Sequence, residues 1–129
     1  MSLSFSEFRE KRSAEVAEVE MFLSRPLSDD PVILRSQLAR AVSFYSRVGV
    51  IGGWANDYLR LAMREKLKPK EKGTTDFERE ITLDAETSSE QRYCEIMHSH
   101  GKALEKFITS GQTLISSHKA EMLALGVSK

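Results

Sequence analysis

The chain has few of the features that stabilise secreted proteins or anchor proteins in membranes. Its 129 residues include one cysteine, Cys94, so no disulfide can form within the chain, which suits a reducing compartment. No apolar run approaches the roughly 20 residues that a membrane-spanning helix needs. The first residues lack the basic and apolar segments of a secretory signal. The sequence therefore predicts a cytoplasmic protein without a membrane anchor.

Proline is also scarce, with three residues at positions 26, 31 and 69. The long stretches between them contain no helix-breaking proline, which favours long helices. Hydrophobic residues make up 40% of the chain and charged residues 29%, which is ordinary for a globular protein. At this length one domain is expected. We predict a single all-α domain over residues 1–129 with a basic linker at about 66–76.

Common catalytic and metal-binding patterns are missing as well. The sequence contains no Gly-rich phosphate-binding loop and no nucleophile elbow. His98, His100 and His118 are spaced so that they do not converge on one ion without ligands from other chains. The acidic residues between 78 and 86 lack the apolar surroundings of a general acid–base pair. We therefore expect no catalytic residue, no cofactor and no metal site, and hence no enzyme activity.

The first helix has clear signals at both ends. Ser4 and Glu7 fit a capping box, in which each side chain accepts a hydrogen bond from the other residue's backbone N–H. Pro26 ends the helix, because proline lacks the N–H donor and clashes with the preceding turn. These signals predict a helix at about 4–24.

A second, longer helix begins where Asp30 can cap it and Pro31 can occupy its first turn. Its apolar positions alternate between spacings of four and three, which predicts a partner helix along most of its length. The three glycines at positions 49, 52 and 53 interrupt it, at a cost of about 1 kcal/mol each relative to alanine. They either divide it into helices at about 31–48 and 54–68 or allow another backbone to approach closely. We favour one long helix.

The segment at 73–86 has no decisive pattern. Phe77, Ile81 and Leu83 share one face if the segment is extended, whereas Thr75 can instead begin a short helix. We predict an extended or irregular segment.

The last helix is predicted to start near Thr87 and Ser88, which have Glu90 and Gln91 at capping-box spacing, and to stop at Gly126. Its apolar stripe matches that of the second helix. The two are therefore predicted to form a long antiparallel helical hairpin, with the N-terminal helix packed on it or on a neighbouring subunit.

Apolar side chains occupy more than one face of both long helices, which exceeds what one hairpin can bury. We therefore predict a helical homo-oligomer. Its predicted interface residues are Leu38, Tyr45, Leu104, Phe107 and Leu114.

Charge is sorted along the chain, although its total is zero. Residues 1–30 carry 4 basic and 7 acidic side chains, residues 31–72 carry 9 and 3, and residues 73–129 carry 6 and 9. A local basic segment in a neutral protein indicates a polyanionic partner, and a solvated helix end running into a linker is the alternative. The candidate nucleic-acid-binding residues are Arg60, Arg64, Lys66, Lys68, Lys70 and Lys72.

Spacing within this segment suits a nucleic-acid backbone. Arg60 and Arg64 are four residues apart and share one helix face, and Lys68 extends the line. Such a row can neutralise several phosphates. Tyr58 and Trp54 lie one to two turns upstream and offer surfaces on which unpaired bases can stack. Burial in the helical core is the competing explanation for Trp54.

Parts of both long helices resemble a known family. Phe44-Tyr45-Ser46-Arg47 reads aromatic-Tyr-Ser-basic in the first long helix, and Thr82-Leu83-Asp84-Ala85-Glu86 precedes the last helix. The last helix and its end contribute residues at similar spacings, namely Ala103, Leu104, Gly111 and Gly126. With these stretches, residues 30–126 resemble the phage recombination mediator proteins of the UvsY type. The three glycines before Arg60 and Arg64 depart from that family's pattern.

The resemblance implies a homo-oligomeric ring that binds single-stranded DNA without sequence preference. It also implies contacts with a RecA-like recombinase and a single-strand-binding protein, and a place in the cytoplasm of a bacterial host. The family's basic pair before the linker corresponds to Arg60 and Arg64.

Three hypotheses about function follow. The leading hypothesis is a non-enzymatic accessory protein that binds single-stranded DNA and helps to load a recombinase. The alternative is a helical assembly or adaptor protein that acts through protein–protein contacts. A regulator that binds duplex DNA is disfavoured, because the sequence lacks a short recognition-helix pair with an intervening turn.

Overall fold

The computed structural model describes residues 3–67 and 73–126. Within these ranges the chain is all-helical and contains no strand. The four helices are α1 (Phe5–Leu23), α2 (Pro31–Lys66), α3 (Asp76–Glu86) and α4 (Ser88–Ala124). At a rise of about 1.5 Å per residue, α2 and α4 are each roughly 55 Å long. None of the described helices is both long enough and apolar enough to cross a membrane.

The beginning of α1 confirms the predicted capping box. The Ser4 hydroxyl accepts a hydrogen bond from the Glu7 backbone N–H at 3.1 Å, and the Glu7 carboxylate accepts one from the Ser4 N–H at 2.9 Å. The Ser4 hydrogen bond lowers the pKa of the Glu7 carboxyl below its ordinary value. The helix ends at Leu23, with Ser24 as its C-cap, shortly before Pro26 as predicted.

Helix α2 also begins as predicted, because the Asp30 carboxylate accepts a hydrogen bond from the Val32 backbone N–H at 2.9 Å. The helix then continues without a break through Gly49, Gly52 and Gly53. A Cβ added to Gly52 would lie 3.6 Å from Met97 Cβ, which is ordinary van der Waals contact, and one added to Gly49 or Gly53 would meet nothing within 4 Å. Close helix packing inside this chain therefore does not require these three glycines.

The close approach occurs instead at Gly111 of α4. A Cβ at this position would lie 3.0 Å from Leu38 Cγ and closer still to Leu38 Cδ2. The missing side chain of Gly111 thus makes room for Leu38 of α2.

The extended segment predicted for 73–86 is wrong, because α3 occupies most of it. The Thr75 hydroxyl accepts a hydrogen bond from the Glu78 backbone N–H at 3.0 Å and so caps this helix. Phe77 and Ile81 are exposed at 70% and 51%, and no residue of α3 is buried. Local capping therefore starts α3, although it contributes little to the core.

Helix α4 begins at Ser88, as predicted, but the predicted capping box is absent at this start. Thr87 separates α3 from α4 and makes no capping hydrogen bond with its side chain. Its hydroxyl instead donates to the Leu83 carbonyl at 2.9 Å and accepts from Gln91 Nε2 at 2.9 Å. At the other end, Gly126 adopts a φ of 75° and follows the last turn, as predicted for a stop.

Helices α2 and α4 run antiparallel and side by side. Gly52 lies beside Met97, and Leu38, earlier in the chain, lies beside Gly111, later in the chain. Their facing sides supply most of the core, including Leu34, Ala41, Val48, Ile51, Ala55, Tyr93, Met97 and Leu104.

Helix α1 packs across one side of this α2–α4 pair through two aromatic clusters. Phe22, near the end of α1, has its ring centroid 5.1 Å from that of Phe44 and 4.9 Å from that of Phe107. Phe8, near the start of α1, stacks on Tyr58 at 4.8 Å and contacts Tyr93 edge-on at 6.0 Å. Both phenylalanines are buried.

Candidate nucleic-acid interface

The C-terminal end of α2 presents the described part of the predicted basic segment. Arg60, Arg64 and Lys66 are exposed there, whereas Lys68, Lys70 and Lys72 lie outside the described residues. Arg60 forms a weak ion pair with Asp57 at 3.9 Å, and the two side chains are 77% and 72% exposed. An ion pair this open to solvent contributes little and leaves Arg60 accessible to an anion.

Helical geometry divides these three cations between two faces. Arg60 and Arg64 share one face, because four residues are close to a full turn. Lys66, two residues beyond Arg64, points to nearly the opposite side of the helix. The structure therefore brings together Arg60 and Arg64 and does not bring Lys66 to the same face.

The position of these cations also suits the helix itself. Arg64 and Lys66 lie in the last turn of α2. Cations there interact favourably with the negative end of the helix dipole. A purely structural role for the two residues is thus compatible with their position.

Tyr58 is not available as a stacking surface for bases. Its ring stacks on Phe8, and its hydroxyl donates a hydrogen bond to the Leu3 carbonyl at 2.8 Å. The suggestion that Tyr58 stacks with bases is therefore wrong for this conformation, because Phe8 of α1 stacks on the ring.

Trp54 has a different environment. Its side chain is 40% exposed, and one edge contacts Phe8 with the ring centroids 6.3 Å apart. The guanidinium carbons of Arg12 and Arg47 lie 5.3 Å and 5.6 Å from the indole centroid. Simple burial in the core, the competing explanation, is not what the structure shows.

The carboxylate of Glu15 lies between these two arginines. Its Oε1 accepts from Arg12 Nη1 at 2.6 Å and from Arg47 Nη2 at 3.1 Å, while its Oε2 accepts from Arg47 Nε. The pKa of Glu15 is lowered, chiefly by the hydrogen bond from Arg47. The same hydrogen bond raises the pKa of Arg47. Sequence patterns did not reveal this cluster, although Arg40, Arg47 and Trp54 recur every seven residues and so share one side of α2.

On the side of the α2–α4 pair away from α1, an open groove is lined by Gly49, Gly53, Cys94, His98 and Gly101. Burial raises the pKa of the Cys94 thiol, and the nearby carboxylates of Glu90 and Glu95 raise it further. The thiol is therefore protonated at neutral pH and weakly nucleophilic. Within residues 3–67 and 73–126, no cluster of three or more His, Cys, Asp or Glu residues is arranged to hold a metal ion.

The predicted interface residues differ in exposure. Tyr45 is 42% exposed, and Leu38, Phe107 and Leu114 are half-buried. Leu104 is completely buried inside the single chain. Its prediction as an interface residue is corrected, because its side chain already belongs to the core between α2 and α4.

The arrangement thus offers an exposed pair of arginines at one end of α2 and a half-exposed tryptophan between two arginines farther back. Comparison with known proteins adds no assignment. No protein-family model, curated protein or solved structure matches the chain.

Proposed function

We propose that this protein is a non-enzymatic accessory protein that binds single-stranded DNA and helps to load a RecA-like recombinase. The observation that carries the binding step is the exposure of Arg60 and Arg64 on one face of α2, where Arg60 forms a weak, solvent-exposed ion pair with Asp57. Guanidinium groups in this setting can exchange counterions for phosphates at little cost. The recombinase and a single-strand-binding protein as partners rest on the family resemblance alone.

The proposal includes self-association of a long antiparallel hairpin. Several apolar side chains of α2 remain exposed, among them Val42 at 55%, Tyr45 at 42% and Val50 at 41%. Burying them against further copies of the chain would place one Arg60–Arg64 pair per subunit in the same particle. Linked weak sites raise the apparent affinity without any new contact.

The alternative, an adaptor that acts through protein contacts, is favoured by a second exposed apolar region. Val32 and Ile33 at the start of α2 are 78% and 52% exposed. Met122, Leu123 and Leu125 at the end of α4 are 49%, 75% and 79% exposed. Because the helices are antiparallel, these two groups lie at the same end of the molecule, far from Arg60 and Arg64.

Binding of a fluorescently labelled oligothymidylate at low and moderate salt separates the two functions. Replacing Arg60 and Arg64 with glutamine is expected to weaken binding and to reduce the salt slope by about 0.7 for each lost phosphate contact. The matched control is R25Q with R35Q, which removes the same charge from exposed positions elsewhere. Absence of binding by the unaltered protein at low salt would contradict the proposal and leave the adaptor function.

A further inference from the structure

Three carboxylates of α1 contact basic side chains of the α2–α4 pair. Glu15 holds Arg47 through two hydrogen bonds, Glu18 lies 3.8 Å from Arg40, and Glu20 lies 3.0 Å from His100. Acidic side chains of α1 therefore lie against basic side chains of the α2–α4 pair. A carboxylate and a phosphate both offer anionic oxygens, so the two compete for the same guanidinium groups.

The basic groups on α2 alternate with aromatic rings. The guanidinium carbon of Arg40 lies 5.4 Å from the ring centroid of Phe44, and that of Arg47 lies 5.6 Å from that of Trp54. We refer to Arg40, Phe44, Arg47 and Trp54 as the arginine–aromatic stripe. Cations for phosphates beside aromatic faces for bases are the combination that binds single-stranded nucleic acid without sequence preference.

The stripe is covered only in part. The side chains of Arg40 and Arg47 are 52% and 42% exposed, and Trp54 is 40% exposed. The Glu18–Arg40 pair is long and open to solvent, so it is easily exchanged for another anion. By contrast, α1 is anchored at its two ends by Phe8 and Phe22, which are buried. Its carboxylates can therefore be displaced while its aromatic anchors stay in place.

The stripe also leads toward the exposed arginines. Leu61 follows Trp54 by seven residues on the same side of α2 and is 46% exposed. Arg64 lies one turn farther along, about 80° around the helix from Trp54. A single strand that binds Arg60 and Arg64 can thus continue along the outer side of α2 to Trp54 and Arg47.

We propose that the arginine–aromatic stripe is a second binding surface for single-stranded DNA, which Glu15 and Glu18 of α1 occupy in the free protein. Phosphates displace Glu18 from Arg40 and Glu15 from Arg47, and an unpaired base packs against the solvent-exposed part of the Trp54 side chain. Helix α1 thereby acts as an intramolecular competitor that limits affinity. The inference rests on the proposed function, because it concerns the same ligand.

The test removes the competing charges and follows two signals. E15Q with E18Q keeps side-chain shape while removing both carboxylate charges. E10Q with E121Q removes the same charge from exposed positions that contact no basic group of the described chain. Oligothymidylate binding is measured by anisotropy at several salt concentrations. Emission of Trp54, the only tryptophan in the chain, reports on the stripe itself.

The E15Q/E18Q protein is expected to bind more tightly than the control, with a salt slope steeper by about 1.4, since two further phosphates are neutralised. Its Trp54 emission is expected to change on binding, and adding R47Q is expected to reverse much of the gain. If E15Q/E18Q alters helix content or melting, E18Q alone provides the same test with a slope change of about 0.7.

The outcomes separate the inference from the proposed function. Equal binding by the E15Q/E18Q and E10Q/E121Q proteins, with no response from Trp54, would overturn the second surface while leaving binding at Arg60 and Arg64 intact. Failure of every protein to bind the oligonucleotide would overturn both.

Discussion

Arg47 of α2 donates two hydrogen bonds to the carboxylate of Glu15 on α1, although the residues are 32 positions apart in the chain. This contact fixes where the middle of α1 lies on α2, between the aromatic anchors at Phe8 and Phe22. The contact also occupies one of the arginines in the basic segment 31–72, which reduces the basic surface that a ligand can reach. Arg47 is bound to Glu15, whereas the Arg60 side chain is 77% exposed.

The Glu15–Arg47 contact predicts a loss of stability in acid. Because the folded-state pKa of Glu15 is lowered, the contact stabilises the protein fully above the ordinary value of 4.5. That stabilisation is lost as the pH falls from 4.5 through the folded-state pKa. We expect the melting temperature of the unaltered protein to fall more between pH 6 and pH 3.5 than that of E15Q. An equal fall in the melting temperature of the two proteins over this pH range would contradict a stabilising Glu15–Arg47 contact.

Gly111 is predicted to be the glycine on which packing of α2 against α4 depends. Gly111→Ala should destabilise the protein by about 1 kcal/mol, because overpacking costs about 1–3 kcal/mol and better helix propensity returns about 1 kcal/mol. Gly53→Ala meets no atom within 4 Å and should be neutral or stabilising. Urea denaturation of both variants measures the difference. In a Leu38→Ala background, the harmful effect of the alanine at 111 should largely disappear, and its persistence there would argue against the Leu38 contact.

Leu104 is predicted to affect the stability of the folded chain, and Tyr45 is predicted to affect self-association. Leu104→Ala should lower the free energy of unfolding by about 2–5 kcal/mol, because the side chain is fully buried. Tyr45→Ala should change monomer stability little and weaken self-association, since the ring is 42% exposed. Denaturation and light scattering across a range of protein concentrations distinguish the two effects. A mass equal to one chain for the unaltered protein at micromolar concentration would contradict the predicted homo-oligomer.

The Ser4 cap is predicted to control fraying of α1. Ser4→Ala should cost about 1 kcal/mol, mostly by loosening the first turn. Ser6→Ala, two residues inside the same helix, removes a hydroxyl for which no cap role exists and serves as the control. Hydrogen exchange of the amides at the start of α1 should speed up in the first variant alone. Unchanged exchange in Ser4→Ala would show that the docked Phe8, rather than the cap, holds this end.

Local signals in the sequence were sufficient for the ends of α1 and the beginning of α2. Ser4 caps with Glu7, and Asp30 precedes Pro31, within a few positions of the chain. Such contacts form regardless of where the helix packs in the fold, so the neighbouring residues are enough to predict them. At 73–86 the local signals conflicted, because Phe77, Ile81 and Leu83 fit an extended face while Thr75 fits a helix cap. The segment is helical because the Thr75 cap stabilises the first turn. No residue of α3 is buried, so an extended apolar face would have gained no stability from burial in a core.

The sequence by itself determined an all-helical chain, the positions of most helix ends, and a basic segment that includes Arg60 and Arg64. Only the tertiary structure decided which glycine faces a close neighbour, since that depends on the register of α2 against α4. It also decided that Glu15 and Glu18 cover Arg47 and Arg40, and that Tyr58 is closed off while Trp54 stays partly open. These outcomes depend on where α1 packs on the other helices. That position is set by burial of Phe8 and Phe22 against residues far away in the chain, and no local sequence pattern predicts such contacts.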